Sequence, residues 1–378
     1  MAPPTALSMS SSSPRSSQLP LDDYKFTFEA YLDDSARIEA DGTDSFPHAD
    51  IYDTQSLSES IAQFREEFGR TYHSYRAGSY HFPNDALENE RVNEQYEILK
   101  LVMDERLHLC PFDASNAPCK ILDIATGTGL WAIEMGDEYP EAEVIGTDLS
   151  PIQPAFVPPN VRFFVEDSTE SWDYPTASFD FIHTRVTFAC WSDMKKQIIQ
   201  RAFNHLKPGG WLECQEVPGM PYCDDNTMPP DYPWLQWTYQ LYHGTSLADR
   251  QADIGPQLKD WMKEVGFVDV RESVFKIPLN GWPKESRLKH VGMLWQRNLL
   301  DGLSGFSLSF FNKFLDKTLE EIEVSLVNVR KCLFDRRIHA YHKLYVVYGR
   351  KPDVGEMEGA SSPTPSSHPS RSRSSSSE

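Results

Sequence analysis

The sequence predicts an α/β fold in which a mostly parallel sheet is covered by helices on both faces, with a helical extension ahead of it. Two observations carry this. From Lys120 onward, the runs KILDIAT, EVIGTDL, RFFVEDS, FDFIHTR and GGWLECQEV are short and β-rich, and segments able to form helices separate them. Runs of this kind, apolar on both faces, belong to strands buried on both sides. In addition, the first run leaves through a glycine-bearing turn, Gly127-Thr128-Gly129, into the helical segment LWAIEMG. Glycines at that point let the backbone turn tightly, and the helix start offers free N–H groups to a ligand.

The elements follow in chain order. Residues 1–20 are rich in Ser and Pro and are expected to be a disordered tail, as is 352–378, which ends SSPTPSSHPSRSRSSSSE. Residues 21–114 read as an N-terminal extension, partly a helical lid. Its acidic opening, 21–54, is irregular. In SLSESIAQFREEFGRTYHSYR, the residues Ile61, Phe64, Phe68 and Tyr72 recur at helical spacing. A second helix is expected over ALENERVNEQYEILKLVMDERLHL, after the breaker Pro83-Asn84-Asp85. The core domain is expected over 115–351. After the fifth run come two longer β-rich runs, GFVDVRESVFKIPL and AYHKLYVVYGR, with a largely helical stretch between them from about Lys284 to Arg337. In that stretch Phe311, Leu315, Leu319, Ile322, Leu326, Val329 and Leu333 form an apolar stripe suited to packing on the core.

Composition narrows the function. The 378 residues carry 36 basic and 56 acidic side chains, a net charge of -20. So acidic a chain repels phosphate backbones, which argues against nucleic acid as a partner. No apolar run approaches the length of a membrane span. Six cysteines without a CxxC pair fit a reducing compartment, and neither they nor the scattered histidines have metal-ligand spacing. The expected location is the cytoplasm, with the nucleus as the alternative; no Lys/Arg cluster of the nuclear-import type stands out.

Chemistry concentrates at the ends of the predicted strands, where open α/β sheets bind ligands. Gly127-x-Gly129-x-x-Ala132 by itself also matches a dinucleotide-binding turn, which leaves a dehydrogenase open. Asp148 closes the second run about 20 residues on, where a carboxylate can accept both hydroxyls of an adenosine ribose. Glu166 and Asp167 close the third, where a carboxylate can receive an adenine amine or simply cap an acidic turn.

Taken in order, D-x-A-x-G-x-G, the acid ending the second strand, E-D-S, F-D-F-I-H-T-R and L-K-P-G-G-W resemble class I S-adenosylmethionine-dependent methyltransferases, most closely over residues 115–218. The resemblance implies a Rossmann-like seven-stranded sheet whose last two strands are an antiparallel pair, with a helical insertion before the last strand. One departure is Ala125, where many members carry glycine. The flank RTYHSYRAGSYHFPNDALENER, with Tyr75, Tyr80, Pro83, Asn84 and Asp85, is similar to the LaeA-like enzymes of filamentous fungi, as are SFDFIHTR and LKPGGWLECQE.

That family implies S-adenosyl-L-methionine as cofactor. Asp123, Ala125, Gly127 and Gly129 would shape the floor under its methionine part, Asp148 would bind the ribose, and Asp167 with Ser168 the adenine. Arg185 would either clamp the cofactor carboxylate or pair with a nearby acid. His183 and Glu216, both at strand ends, are the general-base candidates; a satisfied core histidine and a capping carboxylate are their alternatives. The aromatic stretch after the fifth strand holds Tyr222, Tyr232, Trp234, Trp237, Tyr239 and Tyr242, and no Lys or Arg occurs from Pro208 to Asp249. It suits an apolar small molecule or the packing of a lid helix. Tyr72, Tyr75 and Tyr80 would close the pocket from the other side. The expected function is methylation of a small-molecule natural product in fungal secondary metabolism. The alternative is a regulator acting through protein methylation or through protein partners at the N-terminal helices.

Overall fold

The computed structural model describes residues 63–114 and 119–356. The expected tails, the acidic stretch 21–54 and Ile61 lie outside the described residues, apart from the first residues of the C-terminal segment.

The described chain opens on a β-hairpin, not on the helix that the spacing of Phe64, Phe68 and Tyr72 suggested. Strands β1 (Arg65–Glu67) and β2 (Arg70–Tyr72) pair antiparallel. The two residues between them, Phe68 and Gly69, have φ of 56° and 71°. A two-residue connection with both φ positive matches strand twist, and glycine at its second position favours it over continued helix. The aromatic spacing is satisfied anyway, because Phe68 and Tyr72 meet edge to face at 6.4 Å. Arg70 then ties the hairpin to Asp85, donating from Nη2 at 2.9 Å. Asp85 is also the N-cap of α1 (Ala86–Val102), accepting from the Glu88 amide at 3.1 Å.

The sheet follows. Strands β3 (Lys120–Ile124), β4 (Glu143–Asp148), β5 (Val161–Val165), β6 (Phe179–Arg185) and β7 (Leu206–Glu216) are parallel, with α2 (Leu130–Glu138) after β3 and α3 (Gln200–His205) before β7. Beyond β7 come α4 (Pro233–Leu247), α5 (Leu258–Val265), β8 (Val268–Pro278), α6 (Ser286–Leu315), α7 (Leu319–Cys332) and β9 (Tyr341–Arg350). The seven strands lie in the order β5-β4-β3-β6-β7-β9-β8, with β9 antiparallel to both neighbours. This is the seven-stranded sheet ending in an antiparallel pair.

Side-chain alternation explains burial on both faces. Ile121, Val144 and Phe181 pack with Trp131 and Met135 on one side, whereas Leu122, Ile124, Ile145 and Ile182 face Met194, Ile198 and Leu258 on the other. A further core joins α1, α4, α6 and α7 around Leu99, Trp234, Trp237, Trp295, Leu303 and Phe310. The predicted apolar stripe is divided between two helices. Asp316 ends α6 in the left-handed region at φ 52°, and Thr318 and Glu321 form a capping box that starts α7. Ile322, Leu326, Val329 and Leu333 are buried in this core as expected, while Leu319 stays exposed.

Chain order reverses between β4 and β6, on either side of β3. Ligands in open α/β sheets lie outside the carboxyl ends of the strands at such a switch point. The structure has a cavity there.

Candidate active site

The exit from β3 is built of left-handed backbone: φ is 56° at Ala125, 60° at Gly127 and 85° at Gly129. Gly129 could not carry a side chain, since a Cβ there would lie 2.4 Å from the Phe163 ring. The turn is fastened to the next strand. The Gly127 amide donates to Asp148 Oδ2 at 2.9 Å, and the Ser150 amide to Asp148 Oδ1 at 2.9 Å. Burial pushes the Asp148 carboxyl up to about 6, against the pull of these amides.

Around this turn lies a cavity of about 240 Å³. Asp123, Ala125, Gly127, Asp148, Asp167, Ser168, His183 and Arg185 all line it, so the ends of β3, β4, β5 and β6 converge as the sequence suggested. At β5, Asp167 Oδ1 accepts from the Thr169 amide and hydroxyl at 3.0 and 2.7 Å. The Ser168 carbonyl accepts from Trp172 Nε1 and Arg201 Nη1. Gly129 supports the wall from behind instead of lining it.

His183 is fully buried. Its Nδ1 lies 2.8 Å from Asp123 Oδ1, its ring stacks on Trp131 at 3.7 Å, and its Nε2 has no hydrogen-bond partner. Burial lowers its pKa despite the carboxylate, so the ring is neutral, with Nδ1–H donating to Asp123. Thr126 Oγ1 donates to the other Asp123 oxygen at 2.5 Å. Glu216 occupies a different place from the one expected of a pocket carboxylate. It lines neither this cavity nor the second one described below. It accepts from the Thr187 amide at 2.9 Å and the Thr187 hydroxyl at 2.5 Å, and burial raises it to about 7.

Arg185 supplies the test of what the cavity can hold. Its Nε donates to Gln215 Oε1 at 2.7 Å, Nη2 to the Leu107 carbonyl at 3.3 Å, and its guanidinium lies over the Tyr96 ring. Its Nη1 is buried without a partner. Burial lowers its pKa, and no carboxylate reaches it within ion-pair distance among the described residues. A buried guanidinium lacking a counter-ion is costly unless an anion arrives. An amino-acid carboxylate is such an anion, and the left-handed turn with Asp148 beside it suits an adenosine ribose. The residues present therefore fit S-adenosylmethionine.

Sequence reasoning missed most of the roof. Asn84 Nδ2 donates to Ser150 Oγ at 3.2 Å, and Arg250 holds the Ser79 carbonyl from Nε and Nη2 at 3.1 and 2.9 Å. Tyr80, Glu88, Arg91 and Gln95 line the cavity from this side. The flank holding Tyr80 and Asn84 stood out by its resemblance; the α1 residues had no visible signal.

A second cavity, of about 100 Å³, shares the wall formed by Tyr80, Glu88, Arg91, Gln95 and Val186. Its remaining lining is largely apolar: Trp234, Trp237, Leu241, Tyr242, Trp295 and Phe306 among others. The aromatic stretch thus divides. Tyr239 points to solvent, Tyr222 stacks on Tyr341 at 6.0 Å, and Tyr232 donates to the Cys332 carbonyl. Tyr80 lines both cavities, whereas Tyr72 and Tyr75 line neither. His342 lies in the wall with indole nitrogens 3.2 Å (Trp234) and 3.1 Å (Trp295) from its ring nitrogens. Burial pushes it down to about 3, so it is neutral and accepts from one indole only.

Among the described residues no helix is long and apolar enough to cross a membrane, and no group of His, Cys, Asp and Glu could hold a metal ion.

Comparison with known proteins agrees with this geometry. Residues 93–272 match the family model described as a methyltransferase domain. The chain is 39% identical over 298 residues to methyltransferase pytC of Aspergillus terreus, covering 79% of this chain and 91% of that one. It is 35% identical to the secondary metabolism regulator LAE1 of Cochliobolus heterostrophus, over 76% of this chain and 94% of that one. It is 32% identical to the protein-methionine methyltransferase laeA of Emericella nidulans, over 77% of each. Cofactor turn, strand order and relatives together make this chain a member of the LaeA-like group of class I S-adenosylmethionine-dependent methyltransferases.

Proposed function

We propose that this protein transfers the methyl group of S-adenosylmethionine to a small-molecule natural product in fungal secondary metabolism. The observation that carries the reading is the buried Arg185 guanidinium, without a counter-ion, in a cavity that shares a wall with a second, apolar one. When bound, the cofactor supplies a methyl group already activated on its sulfonium. Arg185 would hold the amino-acid carboxylate, Asp148 the ribose hydroxyls, and Asp167 with Ser168 the adenine. Asp123 keeps His183 in one orientation beneath the turn, and Ala125, Gly127 and Gly129 give the backbone its close approach. The chain's remaining contribution is alignment and the exclusion of water by the roof of Tyr80 and α1.

His183 lines the cavity with Nδ1 tied to Asp123 and Nε2 unpartnered, and its ring is held flat against Trp131, so the role proposed for it is in the floor of the cavity. Glu216 has the capping role. The likeness to LAE1 favours the regulator as second reading. The aromatic cavity supports the small molecule over a basic protein tail, since no uncompensated acid lines it to attract one.

Metabolite profiles of a strain lacking the gene and of one carrying Asp148→Ala test the proposal. Both are expected to lose one product and accumulate its precursor, lighter by one CH2. Loss of many unrelated metabolites, with no such precursor, overturns the pathway-enzyme reading in favour of the regulator.

A further inference from the structure

His183 and Arg185 are two residues apart on β6 and so project from the same face of the sheet. Both line the first cavity, and each has one buried polar atom without a partner, His183 Nε2 and Arg185 Nη1. Among the described residues lining this cavity, the only other such side-chain atom is the Tyr96 hydroxyl. The Leu107 carbonyl holds the two β6 side chains side by side. It accepts from Arg185 Nη2 at 3.3 Å and from Trp131 Nε1 at 2.9 Å, and Trp131 is the ring stacked on His183. The two free atoms differ in kind. With Nδ1–H given to Asp123, Nε2 is a lone-pair acceptor, whereas Nη1 is a donor on a cation. The Asp123 carboxylate polarises the imidazole and strengthens Nε2 as an acceptor. Each Asp123 oxygen already has a donor of its own, His183 on Oδ1 and Thr126 on Oδ2.

We propose that His183 Nε2 accepts a hydrogen bond from the α-ammonium of S-adenosylmethionine while Arg185 Nη1 donates to its carboxylate, so that β6 reads the amino-acid end of the cofactor as a zwitterion. This rests on the first cavity being the cofactor site. The charges match: the zwitterion adds none overall, its cation lies toward Asp123 and its anion against Arg185. No proton changes hands, because a buried neutral imidazole is a weaker base than an amine. A ligand with the same adenosine and thioether but no amino group leaves Nε2 without a donor, and one with no carboxylate leaves Nη1 without an acceptor. Sites whose buried polar groups are left unpaired reject such analogues. Holding both groups fixes the α-carbon at two points, and with it the path of the chain that carries the sulfur.

The test is calorimetric titration of the full chain with S-adenosylhomocysteine and with two analogues of it, one lacking the α-amino group and one lacking the carboxylate. The wild type is expected to bind the deamino analogue at least about tenfold more weakly than the parent, the size of one hydrogen bond from a charged donor. In His183→Phe, whose ring can still lie on Trp131, the parent is expected to weaken by a similar factor while the deamino analogue binds as it does to the wild type. A merely structural His183 would weaken both ligands alike, and that result overturns the inference. Equal affinity of the wild type for parent and deamino analogue overturns it too, and leaves the cofactor reading standing. Equal affinity for parent and decarboxy analogue removes the carboxylate from Arg185 instead. If S-adenosylhomocysteine itself does not bind, the cofactor reading fails and this inference with it. Should the variant not fold, wild-type protein labelled with 15N-histidine keeps the inference exposed. An unprotonated ring-nitrogen resonance is expected to shift with S-adenosylhomocysteine and not with the deamino analogue, and the lack of any such resonance overturns the assignment.

Discussion

Asp123 on β3 and His183 on β6 stand opposite one another in the parallel register, and their side chains meet at 2.8 Å at the sheet's switch point. The bond links the two strands whose ends carry the cofactor turn and Arg185. Because Thr126 donates to the same carboxylate at 2.5 Å, one buried group fixes strand, turn and neighbouring strand together.

Removing that acceptor leaves the buried His183 Nδ1–H and the part-buried Thr126 hydroxyl without this partner. Asp123→Ala is expected to cost about 2–4 kcal/mol of stability, the desolvation penalty of the orphaned groups. Denaturant unfolding measures this, with and without S-adenosylhomocysteine. The variant should also gain less stability from the ligand than the wild type does, because the turn it positions is loosened.

A pH dependence follows from Glu216, whose folded pKa is raised from 4.5 to about 7 by burial. A raised carboxyl binds more protons in the folded than in the unfolded state between those values. Its contribution to stability therefore declines as pH rises from about 4.5 to 7, and is level above that. Asp148, raised to about 6, adds the same sign over a lower window. Glu216→Gln should flatten the fall in unfolding midpoint between pH 5 and pH 7 relative to the wild type. An equally steep fall in the variant would show that Glu216 is not its source.

The parity of β7 explains why Glu216 could not be assigned from sequence. Glu213 and Gln215 share one face, where Gln215 donates to Glu213 at 2.7 Å and receives Arg185. Glu216 points the other way, to Thr187. Position at a strand end was legible, but which face holds the cavity was not. The cofactor turn was legible because glycines and strand alternation are local signals. Glu88 and Arg91 were not: an i, i+3 charge pair on a helix reads as a solvated face. Its burial depends on Asn298, 207 residues away in the chain. The hairpin was hidden for a related reason, since aromatic spacing alone is compatible with both structures until the Phe68-Gly69 turn is weighed.

Asp148 separates cofactor binding from folding less cleanly than its strand-end position implies. Asp148→Ala removes the acceptor of the Gly127 and Ser150 amides as well as the ribose contact proposed for it. S-adenosylhomocysteine affinity is expected to drop at least about tenfold, with a lower melting temperature besides. Asp148→Asn keeps one oxygen for an amide and should recover part of the stability while binding stays weak. Full affinity in Asp148→Ala would remove the ribose assignment.

The two ends of the cofactor turn respond to opposite substitutions. Ala125 holds φ 56° with a Cβ, a conformation that costs an L-residue about 1–2 kcal/mol. Ala125→Gly relieves that strain but adds about 0.4–1 kcal/mol of unfolded-chain entropy, for a net gain of roughly 0.5 kcal/mol. Gly129→Ala meets strain and collision together, since φ is 85° and the new methyl would lie 2.4 Å from the Phe163 ring. Phe163 is partly buried against the sheet core, so its ring or the turn must shift, and a loss of about 2–4 kcal/mol is expected, with weaker S-adenosylhomocysteine binding alongside. Melting curves of both variants check the pair. If Ala125→Gly destabilised the protein, the alanine would be making contacts that outweigh its backbone strain, and the departure from the family's glycine would be an adaptation of this turn and not a tolerated change.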